Sequence, residues 1–71
     1  MIIAFCERLK ELRKERNITA DELGIVIGVS GPTVTRWENG KIVPAITYIP
    51  KIATFFNVSA DYLLGIKNEE H

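Results

Sequence analysis

At 71 residues and 8.0 kDa the chain has room for one domain, and a domain this small buries only about 60% of its unfolded surface, so its core must be efficient. Apolar residues make up 46% and charged residues 25%, which excludes a disordered tail, while no apolar run approaches the roughly 20 residues of a membrane span. Cys6 is alone, which excludes an internal disulfide and fits a reduced, cytoplasmic setting, and the zero formal net charge removes any global pull toward nucleic acid.

The elements read as helices throughout, an all-α fold of five helices with no strand pattern. The first is predicted over residues 2–16, where Ile2, Phe5, Leu9 and Leu12 recur at helical spacing and Glu7 with Lys10 and Glu11 with Lys14 face outward. The second is predicted over 19–27: Thr19 is its N-cap, Glu22 completes a capping box, Ile18 and Leu23 form a staple, and Gly28 stops it. Gly24 inside it costs about 1 kcal/mol against Ala, which points to the close approach of another helix. The third is predicted over 30–38, capped by Ser30, with Gly31 and Pro32 in its first turn and Asn39-Gly40 at its end. Val34 and Trp37 face inward there, leaving Thr33, Thr35 and Arg36 outward.

Lys41-Ile-Val-Pro44 is a loop. A fourth helix over 47–56 takes Thr47 as N-cap, which puts Pro50 at the third helical position where its missing donor is harmless. Its buried face is Ile49, Ile52, Ala53 and Phe56. The fifth, over 60–64, has Ser59 as cap, a Val58–Leu63 staple and Gly65 as stop; residues 1–66 form the domain and 67–71 a frayed acidic tail. The expected core adds Ile18, Leu23, Ile27 and Leu63 to these inward faces.

Two short helices joined by a tight turn at Gly28, each begun by a hydroxyl cap, form a helix-turn-helix over 19–38 whose second helix stands clear to enter a DNA groove. The charges are distributed unevenly, with residues 1–18 and 30–51 each two positive and 19–29 and 60–71 each two negative. The reading segment is therefore mildly positive.

The stretches Glu7-Arg-Leu-Lys-Glu-Leu-Arg13, Ile18-Thr19, Asp21-Glu22-Leu23, Ile27-Gly28-Val29-Ser30 and Thr33-Val-Thr-Arg-Trp-Glu-Asn-Gly-Lys41 resemble the phage Cro/repressor type of helix-turn-helix domain, the XRE-like family. Val43-Pro44, Phe55-Phe-Asn-Val-Ser59 and Asp61-Tyr-Leu-Leu-Gly65 extend the likeness over about residues 5–65. The resemblance implies a lambda-repressor-like five-helix bundle that binds double-stranded operator DNA as a two-fold homodimer and regulates transcription as a repressor.

By position in that family, Gly31, Pro32, Thr33, Thr35 and Arg36 fall where bases or nearby phosphates are read, and Thr19 and Ala20 where backbone N–H groups meet a phosphate. Asn39, Gly40 and Lys41 fall on a second backbone contact, and Arg13 and Glu38 match a pair that ties the first helix to the end of the third. With the cap Ser30, the candidate DNA-binding set is Thr19, Ala20, Ser30, Gly31, Pro32, Thr33, Thr35, Arg36, Asn39 and Lys41. Family geometry puts the dimer contacts at Val58, Tyr62 and Ile66.

The chain departs from the family where Ala20 replaces a usual Gln and where Gly31 and Pro32 replace long polar side chains, which concentrates direct readout on Arg36 and the two threonines. Ile25 and Val26 point away from the apolar stripe of the second helix, and Ile42, Ile46 and Tyr48 add apolar surface, so a rival reading is a protein-interaction module with a partner at Ile25 and Val26. His71 and Cys6 lack partners for a metal, no cofactor is implied, and no catalytic set or phosphate loop argues for an enzyme.

Overall fold

A computed structural model of the chain describes residues 2–66; the predicted tail over 67–71 and the Ile2 side chain lie outside the described residues. Five helices follow in order: α1 (Ile2–Glu15), α2 (Ala20–Ile27), α3 (Gly31–Glu38), α4 (Tyr48–Phe56) and α5 (Ala60–Leu63), with no strand among the described residues. The all-α expectation holds.

Short-range chemistry sets most boundaries. The Thr19 hydroxyl accepts from the Glu22 N–H at 3.1 Å while the Thr19 N–H donates to Glu22 Oε1 at 2.8 Å, a complete capping box. Ser30 and Ser59 hydroxyls likewise accept from the N–H groups of Thr33 and Tyr62. Chain reversal depends on left-handed residues: Gly28, Gly40 and Gly65 have φ of 96°, 72° and 81°, and Asn17 and Asn57 adopt φ of 56° and 57°. After Asn17, Gly28 and Asn57 comes an apolar residue and then a hydroxyl cap, so one device makes three of the four junctions.

Helix α4 starts differently from the expectation. Thr47 is in the α region and makes no side-chain cap; instead Ala45 and Ile46 carbonyls accept from the N–H groups of Tyr48 and Ile49, a tight turn leading into the helix. Pro50 sits at the third helical position, where it interrupts no bond.

The core gathers Phe5, Leu9 and Leu12 of α1, Leu23 and Ile27 of α2, Val34 and Trp37 of α3, Ile49, Ile52, Ala53 and Phe56 of α4, and Leu63 of α5. Ile18, expected inside, is half-buried against it. Val58, expected at a dimer surface, belongs to this core: the residue after left-handed Asn57 turns inward, and burial takes its side chain from any partner. Tyr48, expected on the surface, tilts against Trp37 with ring centroids 5.4 Å apart and is half-buried.

Gly24 is buried where α2 meets the turn into α3. A Cβ there would lie 2.5 Å from the Val29 carbonyl oxygen and 3.1 Å from the Ser30 carbonyl carbon. Ala gains about 1 kcal/mol of helix propensity over Gly, but overpacking against backbone costs roughly 1–3 kcal/mol and no rotamer relieves it. Gly24→Ala should therefore lower stability by a net of up to ~2 kcal/mol in urea denaturation. An unchanged midpoint would show that the turn can yield.

Candidate nucleic-acid interface

The close approach at Gly24 fixes α3 across α2 and opens a cleft between the start of α2 and the outer face of α3. Thr19, Ala20, Asp21, Gly31, Pro32, Thr35 and Arg36 line this open space of about 490 Å³. Helical spacing puts Pro32, Thr35, Arg36 and Asn39 on one exposed face, with Val34 and Trp37 buried behind. The Arg36 side chain makes no hydrogen bond or ion pair within the described residues, so its five donors are free for an outside acceptor.

Three of the other candidate residues have structural work here. Gly31 is buried, and a Cβ there would fall 1.7 Å from Asp21 Oδ1; it forms a floor rather than a projecting contact. Thr33 is half-buried, its N–H 3.2 Å from the Ser30 hydroxyl and its own hydroxyl 2.8 Å from it. Ser30 is therefore occupied as the cap of α3. The protruding face is narrower than the sequence implies, and it turns toward Pro32, Thr35 and Arg36.

At the start of α2 the Thr19 N–H is engaged by the Glu22 carboxylate, which leaves the Ala20 and Asp21 N–H groups of the first turn pointing outward. These groups and the helix dipole favour an anion, whereas the Asp21 and Glu22 carboxylates at the same end oppose one. Asp21, an acid in the first turn of α2, is thus also part of the cleft wall. That placement depends on packing between two helices, which no local pattern encodes. At the far end of α3, Asn39 is the C-cap, Gly40 is left-handed, and the Lys41 N–H returns to the Arg36 carbonyl at 2.9 Å. The Lys41 side chain is exposed beside Asn39 and Gly40.

Arg13 and Glu38 meet between α1 and the end of α3. Arg13 Nε donates to Glu38 Oε2 at 2.6 Å and Nη2 to Oε1 at 3.0 Å, a two-pronged contact, and Nη1 donates to the Ile18 carbonyl at 2.9 Å. The side chains are 17% and 5% exposed, so the pair is largely withdrawn from water. Hydrogen bonding to Glu38 raises the Arg13 guanidinium above its ordinary value, against desolvation and with the aid of the carboxylate charge. A basic group raised in this way stabilises the fold below its unfolded value, and the contribution is lost in strongly alkaline solution. The pair fixes where α3 ends relative to α1.

Elsewhere, Tyr62 is half-buried, its ring 4.3 Å below the Arg8 guanidinium and its carbonyl accepting from Arg8 Nη1. Ile66 is 64% exposed, and Ile25 and Val26 are 81% and 53% exposed. Among the described residues no group of three or more His, Cys, Asp or Glu side chains could hold a metal, and no helix is long and apolar enough to cross a membrane.

The helix-turn-helix family model matches residues 9–63. The chain belongs to the helix-turn-helix family. It is 37% identical over 61 residues to the HTH-type transcriptional activator BcrR of Enterococcus faecalis, covering 86% of this chain and 30% of that protein. It is 37% identical over 72 residues to the HTH-type transcriptional repressor RghR of Bacillus subtilis, covering 96% of this chain and 53% of that protein. The chain thus spans between 30% and 53% of the length of these curated relatives. In structure it is similar to the P22 c2 repressor protein crystallised with a synthetic operator, with a TM-score of 0.79 and 29% identity over 83% of this chain and 89% of that one. A transcriptional regulator from Listeria innocua superposes with a TM-score of 0.83 at 31% identity, over 92% of this chain and 61% of that one.

Proposed function

We propose that the chain is a sequence-specific DNA-binding transcriptional regulator of the repressor type, acting in the cytoplasm as a homodimer and not as an enzyme. The observation that carries this reading is the exposed face of Pro32, Thr35 and Arg36 on α3, held clear by the Gly24 contact beside the open N-terminal turn of α2. The likeness to an operator-bound repressor supports it. In this reading α3 enters the major groove, phosphate contacts from the Ala20 N–H, Asn39 and Lys41 supply most of the affinity, and Arg36 supplies base contact. A duplex selected from a random pool and titrated at rising salt tests it. Affinity should fall steeply with salt, and absence of binding at low salt would reject the reading.

The dimer is proposed through the C-terminal half, with Ile66 exposed and Tyr62 half-buried beside it. Two recognition helices about 34–36 Å apart would then meet one turn of DNA. Sedimentation on a palindromic selected site should show two chains per duplex, and Ile66→Glu should return it to one. A single chain per duplex for the parent protein would reject the homodimer.

One observation favours a second reading. Ile25 and Val26 remain exposed, and Val26 borders a shallow groove with Pro50, Lys51, Thr54 and Phe55. A protein partner on this face, with weak or absent DNA binding, would leave Ile25→Ser and Val26→Ser without effect on the fold while abolishing the partner contact.

A further inference from the structure

We infer that the groove between α2 and α4 takes an acidic amphipathic helix of a partner protein, its apolar face on Val26 and Phe55 and its carboxylates on Lys51 and Arg16. The inference rests on the protein-partner reading above and adds the chemistry of the partner. It uses no residue of α3.

Val26 forms one wall of the groove and Pro50, Lys51, Thr54 and Phe55 of α4 the other, around an open volume of about 460 Å³. Val26 is 53% exposed and its neighbour Ile25 81%, so α2 presents two branched apolar side chains to water. Half-buried Phe55 packs edge-on to buried Phe56 with ring centroids 4.9 Å apart, which holds it as a firm wall. The charge here is one-sided. Lys51 is the charged residue of the lining, and its ammonium rests 5.7 Å from the Tyr48 ring centroid, a contact that leaves its donors open to a carboxylate. The Arg16 guanidinium stands 5.2 Å from the Phe55 ring centroid and brings a second cation to that wall. Helix α4 carries no acid. On α2 the acid nearest Val26 is Glu22, one turn before it, whose Oε1 is turned back to the Thr19 N–H at 2.8 Å. An acidic partner is therefore attracted by both cations, and a basic one is repelled by both.

The walls also decide the partner's backbone. Both are helices, without the row of unpaired N–H and C=O groups that an added strand needs, and Pro50 has no N–H at all. A helix instead brings side chains at i, i+3, i+4 and i+7 to one face and lays them into such a groove.

The test uses the intact chain and a phage-displayed library of helices about four turns long. Apolar residues are fixed at i, i+3, i+4 and i+7, and Glu, Lys, Gln or Ser is allowed at the flanking positions. Retained sequences should carry Glu at most flanking positions and bind with an affinity that falls as salt is added. A retained peptide should shift the amide resonances of Val26, Lys51, Thr54 and Phe55 and leave those of Thr35 and Arg36 in place. Lys51→Glu should weaken it about fivefold, the worth of a good exposed ion pair, and a peptide with Lys for Glu should bind that variant better than it binds the parent chain. Ile25→Ser with Val26→Ser should abolish binding while melting stays close to the parent's. Retention of Lys or uncharged flanks at the same four residues overturns the inference and leaves the partner face intact. Broadening of the Val26 and Phe55 resonances as the free chain is concentrated would put a second copy in the groove and overturns it as well. If no displayed helix is retained, or the retained ones shift resonances elsewhere, the partner face and this inference fall together.

Discussion

Glu38→Ala should unfold this domain at a markedly lower urea concentration, because it leaves the Arg13 guanidinium without its two-pronged partner in a largely dry site. Breaking a buried pair by removing one member costs roughly 3–5 kcal/mol. Arg13 retains 17% exposure and its bond to the Ile18 carbonyl, so Glu38→Ala belongs at the lower end, about 3 kcal/mol. Arg13→Ala should cost more: it strands a carboxylate only 5% exposed and releases the Ile18 carbonyl as well. For a domain of this size each kcal/mol moves the melting temperature by about 4–8 °C. The double variant should lose less than the sum of the two, and Arg13→Met with Glu38→Leu should lose least, since no charge is then stranded. Unchanged melting of Glu38→Ala would show the pair to be neutral for stability. The pair also fixes the end of α3 that presents Arg36 and Lys41, so variants that stay folded should bind DNA less tightly.

The parts of this fold legible in the sequence are those decided within one or two turns of chain. Thr19, Ser30 and Ser59 announce their helices because a hydroxyl three residues ahead of a free N–H has one obvious bond to make. Inward faces follow from helical spacing, which is why Val34 and Trp37, or Ile49, Ile52, Ala53 and Phe56, are all found buried. Thr47 looks like the same signal, yet Pro50, three residues on, has no N–H to offer it, and the Ile46 carbonyl takes the Ile49 N–H. Loop residues 41–47 carry no periodicity, so the burial of Pro44 and the packing of Tyr48 on Trp37 were not readable. The candidate site divides in the same way. Outward Thr35 and Arg36 follow from the helix period, but buried Gly31 and the Asp21 wall arise from one helix crossing another. Full burial of Val58, beyond a staple to Leu63, has a like cause. Its inward turn depends on Asn57 adopting φ of 57°, and Asn gives a weaker signal for that conformation than Gly.

Arg36→Ala and Lys41→Ala should separate base reading from backbone attraction. Both side chains are exposed and cationic, so net charge changes equally; they differ in position and in chemistry. Arg36 stands on the outer face of α3 beside Pro32 and Thr35, neither of which can make a two-pronged contact to a base. Its loss should cost about 1–3 kcal/mol on the selected duplex and relax preference at one base pair, while random duplex loses much less. Lys41 lies beyond the C-cap of α3, where the chain turns back through Gly40, and can supply a point charge to a phosphate. Its loss should weaken selected and random duplexes alike and reduce the salt slope by about one unit. Arg36→Lys sharpens the comparison: it keeps the charge and removes the fork, so it should retain the salt slope yet lose most of the base preference. Equal losses on selected and random DNA for Arg36→Ala would make Arg36 a phosphate contact, and specificity would then rest on the α2–α3 cleft and the shape of the duplex.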